Sequence, residues 1–250
     1  MTIQTFPTDP LQKTWDGEWI KYNQRPYFKP NVRLLEVLTA CFNHRLKNKK
    51  ILELGAGSGS DIISLTKKGA KGFALDFSQE SIKTILYWSQ KKRCKVNVKR
   101  GQISDIPYSD NYFDLVYSVG LMEHFKNPLP YLYEQIRIVK PGGFLVIDVP
   151  QKYTLYTIAK HARMFLGTHP FGWETEYSKR DLITLGRKLR AKTYAVYGRD
   201  SDVILRLPQF IRGFLQNIFT KTLETSFLAP YICLNIGLIL QKQSSIIARK

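Results

Sequence analysis

The chain has 250 residues, 44% hydrophobic and 13% aromatic, with 38 Lys and Arg against 20 Asp and Glu for a formal net charge of +18. That apolar content excludes a disordered chain. Three scattered cysteines, Cys41, Cys94 and Cys233, exclude a disulfide framework or a cysteine metal knuckle. The length suits one large domain, or a domain with a cap, and no metal site is expected. The positive excess points to acidic partners: nucleic acid, an anionic membrane surface, or phosphorylated or carboxylated substrates. Met1 to Thr5 carries neither a basic nor an apolar leader, so a reducing, cytoplasmic setting is the expectation.

In chain order, residues 1–30 are rich in proline and aromatics (Phe6, Trp15, Trp19, Tyr22, Tyr27, Phe28) and read as an arm packed over the domain. Asn31 to Lys47 has helical apolar spacing at Leu34, Leu35, Val37, Leu38 and Phe42. From Ile51 to Val149 strand and helix patterns alternate, which predicts a parallel sheet with helices on both faces. Phe113 to Val119 is the fourth strand, and Val139 to Ile147 reads as a helix stop and a glycine turn into the fifth. Tyr153 to Leu166 then reads as a helix, Gly167 to Glu174 as a loop, and Ser178-Lys179-Arg180-Asp181 as the cap of a helix through Leu189. Ala191 to Tyr197 alternates like a strand, and Tyr231 to Gln241 is the last one.

Between them, Val203 to Phe227 is basic and amphipathic, a pattern open to two readings: a lipid interface, or the protein's own core or a partner subunit. The apolar run Phe227 to Leu240 is broken by Pro230, Asn235 and Gly237 and is too short to span a membrane. The basic clusters Lys47-Asn48-Lys49-Lys50, Lys67-Lys68, Lys91-Lys92-Arg93-Cys94-Lys95 and Lys99-Arg100 read as solvated surface at strand entrances, opposite the ligand end.

The most informative segment is Glu53-Leu54-Gly55-Ala56-Gly57-Ser58-Gly59-Ser60, a strand end, a glycine turn and a helix start. Glycine admits backbone close to a ligand, and the helix behind it offers unpaired N–H groups. A dinucleotide fingerprint wants Gly-x-Gly-x-x-Gly. Here the third glycine comes one residue early and Glu53 precedes the turn, where a carboxylate repels pyrophosphate and suits an ammonium or sulfonium. Asp76 lies 21 residues after Gly55 at the end of an apolar run. It reads either as an acceptor for ribose hydroxyls or as a turn or cap residue ahead of a helix N-capped by Ser78.

These segments, with Gly101 to Tyr108, Asn111 to Phe125 and Val139 to Ile147, resemble in order the motifs of class I S-adenosylmethionine-dependent methyltransferases. Within that class the chain is similar to the small-molecule type of ubiquinone and menaquinone biosynthesis. The resemblance covers Glu53 to Pro150. It implies a Rossmann-like α/β fold with a seven-stranded, mostly parallel sheet and an antiparallel last strand, and S-adenosylmethionine as cofactor. The cofactor residues it implies are Glu53, Gly55, Ala56, Gly57, Gly59, Asp76, Phe77, Gln102, Ile103, Ser118 and Val119. Gln102 stands where the family carries Asp; its amide oxygen still accepts a hydrogen bond, and Asp105 is the alternative. His124, just past the fourth strand, is either the base that deprotonates an acceptor hydroxyl or a residue packed at a helix start. His169, Trp173, Glu174 and Tyr177 fall in the loop that roofs the substrate in the family.

The expected organisation is an N-terminal arm and helix at 1–45 and a methyltransferase domain at 46–250. A substrate-side insert lies around 151–190 and the basic insert around 202–228. The leading expectation is a methyltransferase acting on a hydroxyl of a small molecule, glycan or lipid-linked intermediate, with peripheral membrane contact open. An RNA methyltransferase and a non-catalytic binding subunit are the alternatives. Against RNA, no Asn/Asp-Pro-Pro-Tyr motif follows the fourth strand, and the charge is dispersed.

Overall fold

The computed structural model describes residues 10–24, 27–167, 174–200 and 228–244. Its centre is a seven-stranded sheet in the order β3-β2-β1-β4-β5-β7-β6. The strands are β1 (Lys50–Leu54), β2 (Lys71–Asp76), β3 (Asn97–Arg100), β4 (Phe113–Val119), β5 (Val139–Pro150), β6 (Lys192–Arg199) and β7 (Asn235–Gln241). The pairs β1–β2, β2–β3, β1–β4 and β4–β5 are parallel, whereas β7 runs antiparallel to both β5 and β6. The expected sheet, with its antiparallel last strand, is the one observed.

The helices are α1 (Pro10–Gln24), α2 (Val32–Ala40), α3 (Ser60–Lys67), α4 (Gln79–Lys91), α5 (Leu129–Ile138), α6 (Leu155–Phe165), α7 (Lys179–Lys188) and α8 (Ala229–Ile232). Alternate strand residues feed two cores, because successive side chains leave a strand on opposite faces. Ile51, Leu115, Tyr117 and Val146 pack with Leu34, Leu38, Ile62 and Ile85 on one face. Leu52, Leu54, Val116, Leu145 and Ile147 pack with Leu132, Ile136 and Leu182 on the other. Strand order turns at β1 and β4, and the crevice beyond the carboxyl ends of such strands is where open α/β sheets bind ligands.

Several local readings shift. The helical pattern from Asn31 to Lys47 yields only the nine residues of α2, capped by the Asn31 side chain on the Leu34 N–H. Asn43 and His44 then adopt positive φ and turn the chain. The last strand starts at Asn235 rather than Tyr231, since the Pro-containing turn of α8 comes first. Ser178 and Asp181 form the expected reciprocal cap of α7.

Lys99 and Arg100 do not lie at a strand entrance: Arg100 pairs in register with Asp76 at the ligand end. There its Nε donates to the Phe77 carbonyl at 2.9 Å. The basic amphipathic stretch 203–227, and His169 and Trp173, lie outside the described residues. Among the described residues, no helix is long and apolar enough to cross a membrane.

Candidate functional site

The carboxyl ends of β1, β2 and β4 open into a cavity of about 410 Å³. Its floor is the glycine turn. Gly55, Gly57 and Gly59 all take positive φ (62°, 53° and 68°), the region L side chains rarely adopt. A Cβ on Gly57 would also stand 2.6 Å from the Trp19 ring, so the turn is a cradle that any side chain would fill.

Asp76 ends β2 and ties the cradle together. Its Oδ2 accepts from the Gly57 N–H at 2.9 Å and its Oδ1 from the Ser78 N–H at 2.9 Å. Each oxygen keeps a further lone pair for a ligand hydroxyl. Burial raises the Asp76 carboxyl above its ordinary pKa, opposed by these two bonds. Ser81 reinforces the turn, donating through its hydroxyl to the Gly57 carbonyl at 2.7 Å.

Glu53 sits on the strand face turned toward α3, where its Oε2 accepts from the Ile62 N–H at 3.2 Å. In register it lies beside Tyr117 of β4. Burial pushes its carboxyl well above the usual range, and the neighbouring Asp61 adds to the rise. Burial also lifts Asp61 to about 6, although the Asn31 N–H holds its Oδ1 at 2.6 Å. Both residues line the cavity, and a ligand cation close to their carboxyls would favour the ionised forms.

His124 and every expected cofactor residue line this cavity except Gly59 and Ser118, and Glu174 and Tyr177, expected in the roof over the substrate, are not among its lining residues. Gly59 caps α3, and a Cβ there would meet Ile85 at 2.9 Å, so its bareness lets α3 and α4 pack closely. Ser118 is buried within the sheet between Leu54 and Ile147. Gln102 and Ile103 do line the wall, whereas Asp105, the alternative to Gln102, does not. His124 ends a 3₁₀ turn, Met122–His124, and also lines the cavity, with the Trp15 ring edge-on at 5.6 Å between centroids.

Sequence reading missed Trp15 and Trp19, which reach the cavity from α1, and Leu121, Phe125 and Tyr131, which make its far wall apolar. The one available signal was the Trp15/Trp19 spacing of four residues, which places both rings on one helix face.

Behind this wall is a second group of ionisable residues. Lys160 is 1% exposed and meets Glu174 at 2.7 Å and Glu176 at 2.5 Å. Glu123, beside His124, is buried, and its carboxyl rises to about 8, mainly through burial, with Glu174 and Asp148 adding to the shift. A carboxyl raised on folding binds its proton more tightly in the native state, so its contribution to stability is full below the unfolded pKa and is lost as pH climbs toward 8. Glu123→Gln is therefore expected to flatten the fall in melting temperature between about pH 5 and pH 8, leaving the variant the more stable protein at pH 8; thermal melts across that range check it.

Residues 52–147 match the family profile described as a methyltransferase domain. A ubiquinone biosynthesis O-methyltransferase of Rickettsia akari is 27% identical over 115 residues, covering 46% of this chain and 45% of the relative. A mitochondrial enzyme of the same name from Schizosaccharomyces pombe is 29% identical over 177 residues, covering 64% and 62%. The chain thus spans about half to three-fifths of the length of the curated relatives it matches. Among solved structures, a Haemonchus contortus phosphoethanolamine N-methyltransferase 2, in complex with phosphomonomethylethanolamine and S-adenosylhomocysteine, superposes with a TM-score of 0.66 at 14% identity, covering 96% of this chain and 62% of that one.

The cradle that a Cβ would fill and the acidic tip of β2 suit the adenosyl and amino-acid parts of S-adenosylmethionine. Profile match and strand order agree that residues 52–147 are a methyltransferase domain, carried on a Rossmann-like sheet.

Proposed function

We propose that this chain transfers a methyl group from S-adenosylmethionine to a hydroxyl of a small-molecule, glycan or lipid-linked acceptor, with His124 as the proton acceptor. The observation that carries the reading is that His124 and the Gly57–Asp76 cradle line one cavity. Bound S-adenosylmethionine supplies an electrophilic methyl carbon on a positively charged sulfur. Gly55, Gly57 and Asp76 hold the cofactor, and the apolar wall of Leu121, Phe125 and Tyr131 takes the acceptor and excludes water. Held there, S-adenosylmethionine would give its methyl group to an acceptor oxygen and keep the C–S bonding electrons on sulfur. His124 takes the hydroxyl proton. Orientation alone supplies much of such a displacement, with effective molarities on the order of 10⁵ M, and proton removal adds roughly 10²–10⁴-fold.

The names of the Rickettsia and Schizosaccharomyces relatives support an oxygen acceptor. The net charge of +18 favours an anionic acceptor or an anionic surface nearby. Peripheral membrane contact and a lipid-linked acceptor belong to this reading. So does the organisation into an arm at 1–45 and a domain at 46–250.

His124→Ala is expected to lower kcat by roughly 10²-fold or more, with S-adenosylhomocysteine affinity unchanged. Unchanged turnover would remove His124 from the mechanism. Fractionation of cell extract after labelling with a methyl-tritiated donor identifies the acceptor; label in RNA, with steeply salt-dependent RNA binding, would replace the small-molecule assignment.

A further inference from the structure

The 3₁₀ turn that carries His124 holds itself weakly. Its own backbone bonds, from the His124 N–H to the Leu121 carbonyl and from the Phe125 N–H to the Met122 carbonyl, are 3.4 and 3.3 Å long, beyond the roughly 2.9–3.0 Å usual for such bonds. A single 3₁₀ turn has poor hydrogen-bond geometry to begin with. The firmer hold comes from outside it. The Thr175 N–H donates to the Glu123 carbonyl at 2.8 Å, and the Tyr177 hydroxyl reaches the Met122 carbonyl at 3.5 Å. Residues 174–177 are in turn tied to the end of β5, where the Tyr177 N–H donates to the Pro150 carbonyl at 3.0 Å and the Lys152 N–H to the Tyr177 carbonyl at 3.1 Å.

A buried ion cluster fixes the Thr175 peptide. Lys160, on α6, is 1% exposed, and its Nζ meets Glu174 at 2.7 Å and Glu176 at 2.5 Å. Those two carboxylates stand on either side of Thr175, so one ammonium pins the segment both before and after the N–H that holds the turn. His161 adds a contact to Glu176 at 2.8 Å. Burial alone would lower the pKa of Lys160, but the two carboxylates outweigh it and hold the ammonium above its ordinary value. A buried ion pair is weak support for stability, since desolvation offsets its attraction, but it does fix the geometry of the groups it joins. Lys160 and residues 174–177 all lie beyond the methyltransferase domain at 52–147.

We infer that Lys160 is a positioning residue for the reaction: through Glu174, Glu176 and the Thr175 N–H it sets the turn that presents His124 to the cavity. The substrate-side insert then does more than border the acceptor; it places the group that takes the acceptor's proton. The inference rests on the reading of His124 as that group. A base must stand within hydrogen-bond reach of the proton it removes, and a displacement of about 1 Å at a reacting centre costs on the order of 100-fold in rate.

The chain has four histidines, so ring-carbon-13 labelling of histidine in the full chain reads His124 directly, its signal assigned by its loss in His124→Ala. Lys160→Met is expected to displace or split the His124 signal while that of His44, on the turn after α2, stays in place. The same variant is expected to lower turnover about 10- to 100-fold, with S-adenosylhomocysteine affinity nearly unchanged. Turnover is followed with methyl-tritiated S-adenosylmethionine and the extract fraction that takes up its label. Lys160→Arg keeps a cation for both carboxylates and is expected to bring turnover back to within about threefold of the parent protein; a loss equal to that of Lys160→Met would overturn the role of the charge. Thr175→Pro deletes the N–H and strands no buried ion, so it tests the last link even where Lys160→Met folds poorly, and the same displaced His124 signal is expected. A His124 signal unmoved in Thr175→Pro, or in Lys160→Met with only the melting temperature lowered, would make the cluster purely structural and leave the proton-acceptor reading intact. Unchanged turnover in His124→Ala would instead overturn that reading, and the part of Lys160 in the reaction with it.

Discussion

Asp76→Ala is expected to weaken S-adenosylhomocysteine binding by at least about 100-fold, measured by titration calorimetry, with far-UV circular dichroism reporting an intact fold. The size follows from the two tasks of this carboxylate. It orders the empty cradle through two hydrogen bonds at 2.9 Å to the N–H groups of Gly57 and Ser78. Bonds to a charged group are worth about 1.5–3 kcal/mol each, and their loss frees the turn to leave the conformation the ligand needs. The substitution also deletes the acceptor for ligand hydroxyls at the tip of β2. Asp76→Asn separates these tasks: one amide oxygen still accepts, while the NH₂ group faces a backbone N–H, so an intermediate loss of about tenfold is expected. Affinity of Asp76→Ala within threefold of the parent protein would contradict the assignment of the crevice.

Why Asp76 was legible in the sequence while its neighbours in the site were not is a matter of range. Glycines at alternate positions, an acid at the strand end and a second acid about twenty residues on are local signals, each set by backbone geometry at its own position. The strands around them announced themselves through apolar runs, because a strand covered on both faces has no polar side. Gln102 and Ile103 were found through the resemblance, and both line the wall. Ser118 and its neighbour Val119 part by orientation: Val119 reaches the cavity and Ser118 does not, because successive strand residues point to opposite faces. A glycine that receives a ligand and one that lets a neighbour such as Ile85 approach, as Gly59 does, look alike in sequence.

Trp15 and Trp19 were placed in an arm packed over the domain, but their meeting with His124 and Gly57 depends on how α1 crosses α4, a contact between distant parts of the chain. Helix ends were shifted for a similar reason. The apolar spacing of 31–47 continues past Ala40, yet the backbone turns at Asn43 and His44 so that Leu46 packs into the core beneath β1.

The largest loss of stability is expected from Asp148→Ala, a residue the sequence did not single out within its apolar strand. Asp148 is 1% exposed and receives Arg199 through Nη2 on Oδ1 at 2.8 Å and Nε on Oδ2 at 3.1 Å, while the Tyr197 hydroxyl donates to Oδ2 at 2.9 Å. Asp148 is on β5 and its two partners are on β6, so the antiparallel β7 between them is bridged across one face by this cluster. Removing the carboxylate leaves a buried guanidinium and a buried phenol facing its absence, and Asp200 engages only Nη1. Breaking a buried pair from one side costs about 3–5 kcal/mol, so the urea midpoint is expected to fall by that equivalent. The paired replacement Asp148→Leu with Arg199→Met removes both buried charges together and is expected to recover more than half of the loss, because the buried guanidinium goes with its carboxylate and Asp200, which loses its contact with Nη1, is partly exposed to solvent. Recovery would place the cost in the unpaired Arg199 rather than in the shape of the site. The Gly120 N–H, on the cavity wall, donates to the Asp148 carbonyl at 2.9 Å, and that backbone bond survives both variants. Ligand affinity measured at low temperature, where the single variant stays folded, is therefore expected to change far less than stability.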